Sequence, residues 1–277
     1  MLPAHPPAAQ DLFDRYLSLL GVTRRAPGYA ALTELVRAHL RRVPFENVSK
    51  LFYKKRYGWR GFPDLDRFLA GIEAFHFGGT CYANNGHFHS LLRHLGYDVT
   101  LCGADMSAPD VHVVSLVRTE GREFLVDVGY GAPFLDPLPR DLPADVVIIH
   151  GEDRYVLAPQ DAAGRSRLTL RRRGELRHGY TVNPAPRAIA DFSAVIADSF
   201  CPDATFMNGV LIATYTPGGS RVLHNLESLE MAGGQTIRRT LTGPEAVAEE
   251  AERLFAIPRA VVAEALTEIP AFRDVWE

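Results

Sequence analysis

The stretch FGGTCYANNGHFHSLLRHLG, residues 77–96, decides how the rest of the chain is read. Gly78 and Gly79 lead into Cys81, and the apolar residues Phe88, Leu91, Leu92 and Leu95 then recur at steps of three and four. That spacing predicts an amphipathic helix from Tyr82, closed by Gly96. Such a helix aims free backbone N–H groups and the positive end of its dipole at the Cys81 sulfur, which favours negative charge there and on any oxyanion formed beside it. The two glycines keep side chains out of a substrate's way. The local sequence leaves Cys81 either a buried, inert thiol or a nucleophile, and a second group has to decide.

Upstream of this stretch the pattern is helical. AQDLFDRYLSLL ends at Gly21, YAALTELVRAHLRR ends before Val43-Pro44, and LDRFLAGIEAF follows a candidate N-cap at Asp64. From Tyr97 the period falls to two. YDVTLCGADM, VHVVSLVRT, REFLVDVGYG, RYVLAP and SRLTLRRRGELRHGYTV are short β-branched or aromatic runs split by Gly, Pro and Asp, which predicts an antiparallel sheet or small barrel. Beyond Pro184 a hairpin in VLIATYTPGGSRVLHNLE precedes two helices, GPEAVAEEAERLFAIP and RAVVAEALTEI. The fold class is therefore α+β, with a helical domain over 1–98, a β-barrel domain over 99–190 and an α/β unit over 191–277.

A thiol nucleophile wants a histidine base, and the histidine wants a carboxylate to fix its tautomer. VHVVSLVRT and REFLVDVG flank Glu120-Gly121, a two-residue hairpin link. With Thr119 opposite Arg122, residue 112 falls opposite 129, so His112 and Asp127 become diagonal neighbours on one face, roughly 7 Å apart at Cβ. Imidazole and carboxylate can bridge that gap.

Placed in that order, Cys81, His112 and Asp127 make the chain resemble the arylamine N-acetyltransferase family. VPFENVS at 43–49, GGTCY at 78–82, HVVSLV at 112–117 and LVDVGYG at 125–131 carry the resemblance, with a fainter match in DSFCPDATFMN at 198–208. It implies a helical domain, a β-barrel and an α/β lid around a cysteine-protease-like Cys-His-Asp core. It also implies a ping-pong reaction, in which Cys81 takes an acetyl group from acetyl-coenzyme A, the co-substrate, and an aromatic amine or hydrazine discharges it. By the same resemblance His112 matches the base and Asp127 the orienting carboxylate. Phe45 and Tyr130 match pocket-lining positions, Tyr130 standing where the family usually has phenylalanine. Gly129 and Gly131 would let the pantetheine arm pass, and the backbone N–H groups of Cys81 and Tyr82 would hold the oxyanion.

The family's pattern RGGxCxE reads here with Phe77 for the arginine and Ala83 for the glutamate, so two charged positions are apolar together. Glu46 of PFEN then needs another partner, for which Arg41 or Arg42 is the candidate. The altered loop keeps two alternatives open: an amide synthase using a larger carrier-bound acyl group, and a catalytically silent binding homologue. His87 and His89, two apart on a helix, point about 200° apart and cannot share a metal. No metal site is expected, and Cys102 and Cys201 read as structural. RRRGELR at 171–177 reads as an exposed hairpin.

Composition bounds the rest. A formal charge of −3 over 277 residues, 47% hydrophobic and 23% charged, gathers neither nucleic acid nor anionic lipid. No apolar run approaches the roughly 20 residues that span a bilayer, and MLPAHPPAAQ lacks the basic and apolar regions of a signal peptide. Three cysteines make no disulfide framework. A soluble, cytoplasmic enzyme is the expectation, with its oligomeric state open.

Overall fold

The computed structural model describes residues 9–273, so the Pro/Ala-rich start read above and the last four residues of the 191–277 unit lie outside the described residues. The helical part opens with α1 (Ala9–Leu20) and α2 (Tyr29–Arg42). A two-residue strand β1 (Phe45–Glu46) follows, then α3 (Val48–Tyr57), α4 (Leu65–Phe75) and α5 (Cys81–His94). Val43, extended before Pro44, ends α2 as anticipated, and the Asp64 carboxylate caps α4 by accepting from Arg67 N at 2.8 Å. The sequence reading passed over α3, because Lys50, Lys54, Lys55 and Arg56 interrupt its apolar spacing.

α5 departs from the expectation in two ways. It begins one residue early, at Cys81, with Thr80 as N-cap, and it is not amphipathic: every residue from Cys81 to His89 is buried. Cys81 and Tyr82 enter one core cluster with α3, α7 and α8, whereas Ala83, Phe88, Leu91 and Leu92 enter a second with α1, α2 and α4. The helix is the wall between two cores, so its polar residues are buried and must find partners inside.

β2 (Asp98–Asp105), β3 (His112–Thr119), β4 (Arg122–Val126), β5 (Leu138–Pro139), β6 (Val146–His150), β7 (Asp153–Leu157), β8 (Ser166–Arg172) and β9 (Glu175–Pro186) form one antiparallel sheet. Its order is β5-β4-β3-β2-β9-β8-β7-β6, and it curls into a nearly closed barrel around Val114, Leu116, Phe134, Leu168 and Tyr180. The β8–β9 turn is the exposed hairpin of residues 171–177, with Arg173 and Gly174 at positive φ. After α6 (Ser193–Asp198), β10 (Leu211–Thr216), β11 (Gly219–His224), β12 (Glu227–Ala232) and β13 (Gln235–Thr240) form a second antiparallel sheet. α7 (Pro244–Phe255) and α8 (Arg259–Leu266) pack beside it. The hairpin read in 210–227 is β10–β11. The strands β5, β6, β12 and β13 went unread, the last being exposed at every position and so without alternation.

The second sheet is not built from the C-terminal third alone. Its order is β1-β10-β11-β12-β13, with Phe45 opposite Ala213 and Glu46 opposite Ile212. Asn47, fully buried, fixes this graft: its Nδ2 donates to Phe206 O at 2.9 Å and Gly209 O at 2.7 Å, and its Oδ1 accepts from Leu211 N at 2.9 Å. Asn47→Ala leaves all three backbone groups unsatisfied, and we expect a stability loss of about 3 kcal/mol in urea unfolding, since each buried orphan costs about 1–3 kcal/mol. A loss below about 0.5 kcal/mol would show that water replaces the amide.

Candidate active site

The β3–β4 register is the one the hairpin link dictates, with Thr119 opposite Arg122 and Ser115 opposite Val126. Carried past the last paired residues, it puts His112 and Asp127 on the same face, and His112 Nε2 lies 2.8 Å from Asp127 Oδ2. Both are buried. The Asp127 carboxylate is saturated. Its Oδ1 accepts from Asn85 Nδ2 at 2.8 Å and Gly129 N at 3.0 Å, and its Oδ2 accepts also from the Tyr180 hydroxyl at 2.8 Å. Burial works against its charge, yet His112 and these donors hold its pKa below the ordinary carboxylate value. For His112 burial also opposes charge, but the Asp127 carboxylate and the hydrogen-bonding Cys81 thiol outweigh it and raise the pKa to about 10. With Nε2 committed to Asp127, Nδ1 is the ring nitrogen left for the thiol.

Cys81 is 8% exposed, its Sγ 3.9 Å from the Val111 carbonyl oxygen. Thr80 makes no side-chain cap, so the first-turn N–H groups of Cys81 and Tyr82 have no partner within the helix. The thiol and the histidine come from different parts of the chain, and four hydrogen bonds made by α5 hold them in place. Asn85, one turn after Cys81, donates to Val113 O at 2.6 Å and accepts from Val128 N at 2.9 Å in addition to its bond to Asp127. The Tyr82 hydroxyl donates to Asp110 O at 2.6 Å. Asp110, at φ 59°, is further pinned by its own N–H on Asp105 and by Arg187 Nη1, 2.8 Å from its carboxylate.

Gly129 presses against α5, the helix that opens with Cys81: an added Cβ would stand 2.7 Å from Asn85 Nδ2 and 2.9 Å from Cys81 Cα. Gly131, at φ +72°, lies under the Phe45 ring, 3.2 Å from such a Cβ. The room over both glycines is thus filled by protein, which gives each a packing reason to be glycine. Phe45 and Tyr130 are buried, Phe45 edge-on to Phe206 at 5.6 Å and Tyr130 edge-on to His112 at 5.6 Å. The Tyr130 hydroxyl, absent from phenylalanine, meets His178 Nδ1 at 2.8 Å.

Glu46 has no arginine partner among the described residues, contrary to the expectation for Arg41 or Arg42. Arg42 turns instead to Ile72 O and His76 Nδ1. Glu46, fully buried, accepts from Ser49 N at 2.8 Å and Gly78 N at 3.1 Å, and burial raises its pKa. Phe77 enters an aromatic cluster with Phe52, Tyr53 and Phe75. The loop that two charges would brace is held here by backbone hydrogen bonds and rings.

His87 Nε2 meets Pro63 O at 3.0 Å, with its ring stacked between Phe62 and Phe68. His89 faces Ser115. Among the described residues no three His, Cys, Asp or Glu side chains gather as metal ligands, and no helix is long and apolar enough to cross a membrane. Cys102 is buried, which pushes its thiol up to about 12, and Cys201 is exposed. Asn85 and Tyr180 escaped the sequence reading. Asn85 sits four residues after Cys81, hence on its face of the helix, which is a usable signal. Tyr180 reaches Asp127 across the barrel, and no local pattern points to it.

Comparison with known proteins agrees with this arrangement. The N-acetyltransferase family model matches residues 29–260. Proansamycin X synthase of Amycolatopsis mediterranei is 30% identical over 232 residues, 76% of this chain and 84% of that protein. Arylamine N-acetyltransferase of Mycolicibacterium smegmatis is 27% identical over 217 residues, 73% of this chain and 75% of that one. Among solved structures, a cysteine-to-glutamine variant of the Mycobacterium smegmatis enzyme superposes with a TM-score of 0.75 at 25% identity, covering 92% of this chain and 97% of its own. The Nocardia farcinica arylamine N-acetyltransferase gives 0.72 at 28% identity, with 90% and 91% covered. With the helices, the curled barrel and the second antiparallel sheet all matched, the chain belongs to the arylamine N-acetyltransferase family of acyltransferases.

Proposed function

We propose that the protein moves an acetyl group from acetyl-coenzyme A to an aromatic amine or hydrazine through Cys81. The observation that carries this reading is the buried 2.8 Å His112–Asp127 contact beside a cysteine on the first turn of a helix. In the first half-reaction Cys81 Sγ attacks the thioester carbonyl, the C–S bond to coenzyme A breaks, and His112 returns the proton to the leaving thiolate. In the second the neutral amine attacks the acetyl-cysteine, the thiolate departs, and His112 takes the amine's proton. The N–H groups of Cys81 and Tyr82 receive the oxyanion in both. Asp127 orients His112, Phe45 and Tyr130 border the acceptor, and Gly129 and Gly131, packed against Cys81 and Phe45, would serve the pantetheine arm by letting those walls close up beside its path, not by leaving open room themselves. On this reading the divisions at 98 and 190 separate a helical domain with the nucleophile, a barrel domain with its partners, and the lid. The three unpaired cysteines support a reducing, cytoplasmic setting.

The likeness to a synthase supports a second reading, in which a larger carrier-bound acyl group occupies Cys81 and an amide is formed from it. A cleft of about 610 Å³ between β6 and the β12–β13 hairpin, beginning at Pro133 two residues after Gly131, has room for such a group. Intact mass after mixing with acetyl-coenzyme A, for the native chain and Cys81→Ala, tests the first reading. We expect an acetyl adduct on the native chain alone, lost when an aromatic amine or hydrazine is added. No adduct and no coenzyme A release, with a thiol that still alkylates, would move the larger acyl donor ahead. A thiol that does not alkylate at neutral pH would favour a silent binding homologue.

A further inference from the structure

Beneath the Gly78–Gly79 turn lies a cavity of about 50 Å³ whose wall includes none of Cys81, His112 and Asp127. Phe77 and Ala83, the two apolar residues standing at charged positions of the family pattern, both line it. Its wall has no carboxylate and two cations, Lys50 and Arg67. Lys50 is the unusual one. Its ammonium is largely buried, donates to Ser199 O and Oγ and lies 4.4 Å from the centre of the Phe200 ring, and it has no carboxylate partner among the described residues. Arg67, exposed at the rim, stands over the Trp59 ring and has no carboxylate partner there either. Burying an ammonium without a counter-ion is costly. Here burial lowers the Lys50 pKa to about 8, with the Cys81 charge opposing the shift, so the group is still mostly cationic at pH 7.

We propose that this cavity is a binding site for a small monocarboxylate of about acetate's size, separate from the thiol. The volume selects size. On this scale a water needs roughly 10–15 Å³, so about four non-hydrogen atoms fit. The walls select chemistry: Lys50 offers its remaining N–H and its charge to the carboxylate, as it would to any small anion, and Tyr53, Trp59, Phe62 and Phe77 offer ring surface to a methyl group, which chloride and phosphate do not have. A carboxylate placed here supplies the charge that Ala83 lacks.

Trp59 reports occupancy directly, because it lines the site. Its fluorescence is titrated at pH 7 with sodium acetate against sodium chloride at matched ionic strength, with Trp59→Phe to subtract the other tryptophan, Trp276. We expect a saturable change with acetate that chloride does not give, weaker with formate, which lacks the methyl group, and absent with butyrate. It should weaken at least tenfold in Lys50→Met and vanish in Ala83→Leu, which fills the cavity and leaves both cations in place. Superimposable acetate and chloride curves would overturn the proposal, as would a folded Lys50→Met or Ala83→Leu protein that titrates like the parent. Neither result depends on the acyl donor, so this site and the transfer reaction stand or fall separately.

Discussion

Replacing Asp127 with asparagine is expected to lower acyl transfer by a factor on the order of 10³–10⁴ while the protein stays folded, the scale of loss when a triad carboxylate becomes an amide. Four donors converge on Asp127, and an amide can accept from only some of them. The adjustment open to the site is for His112 Nε2 to become the acceptor, which moves the ring proton to Nδ1, towards the thiol. For the proposed mechanism the His112 ring is then in the wrong tautomer. The same change has a signature in stability. The His112 pKa of about 10 exceeds its ordinary value of roughly 6.5, so its contribution is complete below about pH 6.5 and is lost as pH rises through about 10. The lowered Asp127 pKa acts at the other end, its contribution present above about pH 4 and lost as pH falls through the folded value. Urea unfolding between about pH 6.5 and 10 should therefore show falling stability in the native protein, and the His112 part of that slope should be gone in Asp127→Asn. An unchanged slope would mean that His112 does not hold its proton through Asp127.

Gly129→Ala is expected to cost about 1–3 kcal/mol of stability and roughly a hundredfold in activity. The added methyl meets Asn85 Nδ2 at 2.7 Å, Cys81 Cα at 2.9 Å and Cys81 O at 3.0 Å, and two of these are backbone atoms of a helix clamped between two cores. The strand end that carries Asp127 must move instead. Gly218→Ala is the control, with only Thr216 Oγ1 near, at 3.8 Å. Equal melting temperatures and rates for the two variants would show that the Gly129 contact relaxes at no cost.

The His112–Asp127 contact was legible because every step to it is local: a two-residue link fixes the register, and register fixes facing. The Cys81 turn was legible for the same reason, to within one residue. What stayed hidden lies between segments far apart in the chain. Glu46 reads as a charge that needs an arginine, yet backbone N–H groups of its own turn and of Gly78, with the Ser49 side chain, meet it, and backbone donors leave no mark in a sequence. The burial of α5 on all sides was masked by Asn84, Asn85, His87 and His89, polar residues that read as a solvated face and are held inside by partners from other elements. β13 shows the converse: an exposed edge strand has no buried face to write a pattern.

The two-residue strand β1 also sets an order in time. Phe45 and Glu46 have their sheet partners at Ala213 and Ile212, so a chain growing from its N-terminus makes both residues long before anything exists for them to pair with. Cys81, His112 and Asp127 are all synthesised in that interval, and the bonds from Tyr82 and Asn85 to the barrel can bring them together before α7 and α8 close the core over Cys81. The Phe45 ring is locked against Phe206 and Gly131 only when the last third arrives. A nascent chain would thus hold its thiol, imidazole and carboxylate together before the Phe45 wall is finished, and under the proposed function selectivity would be the last property the molecule acquires.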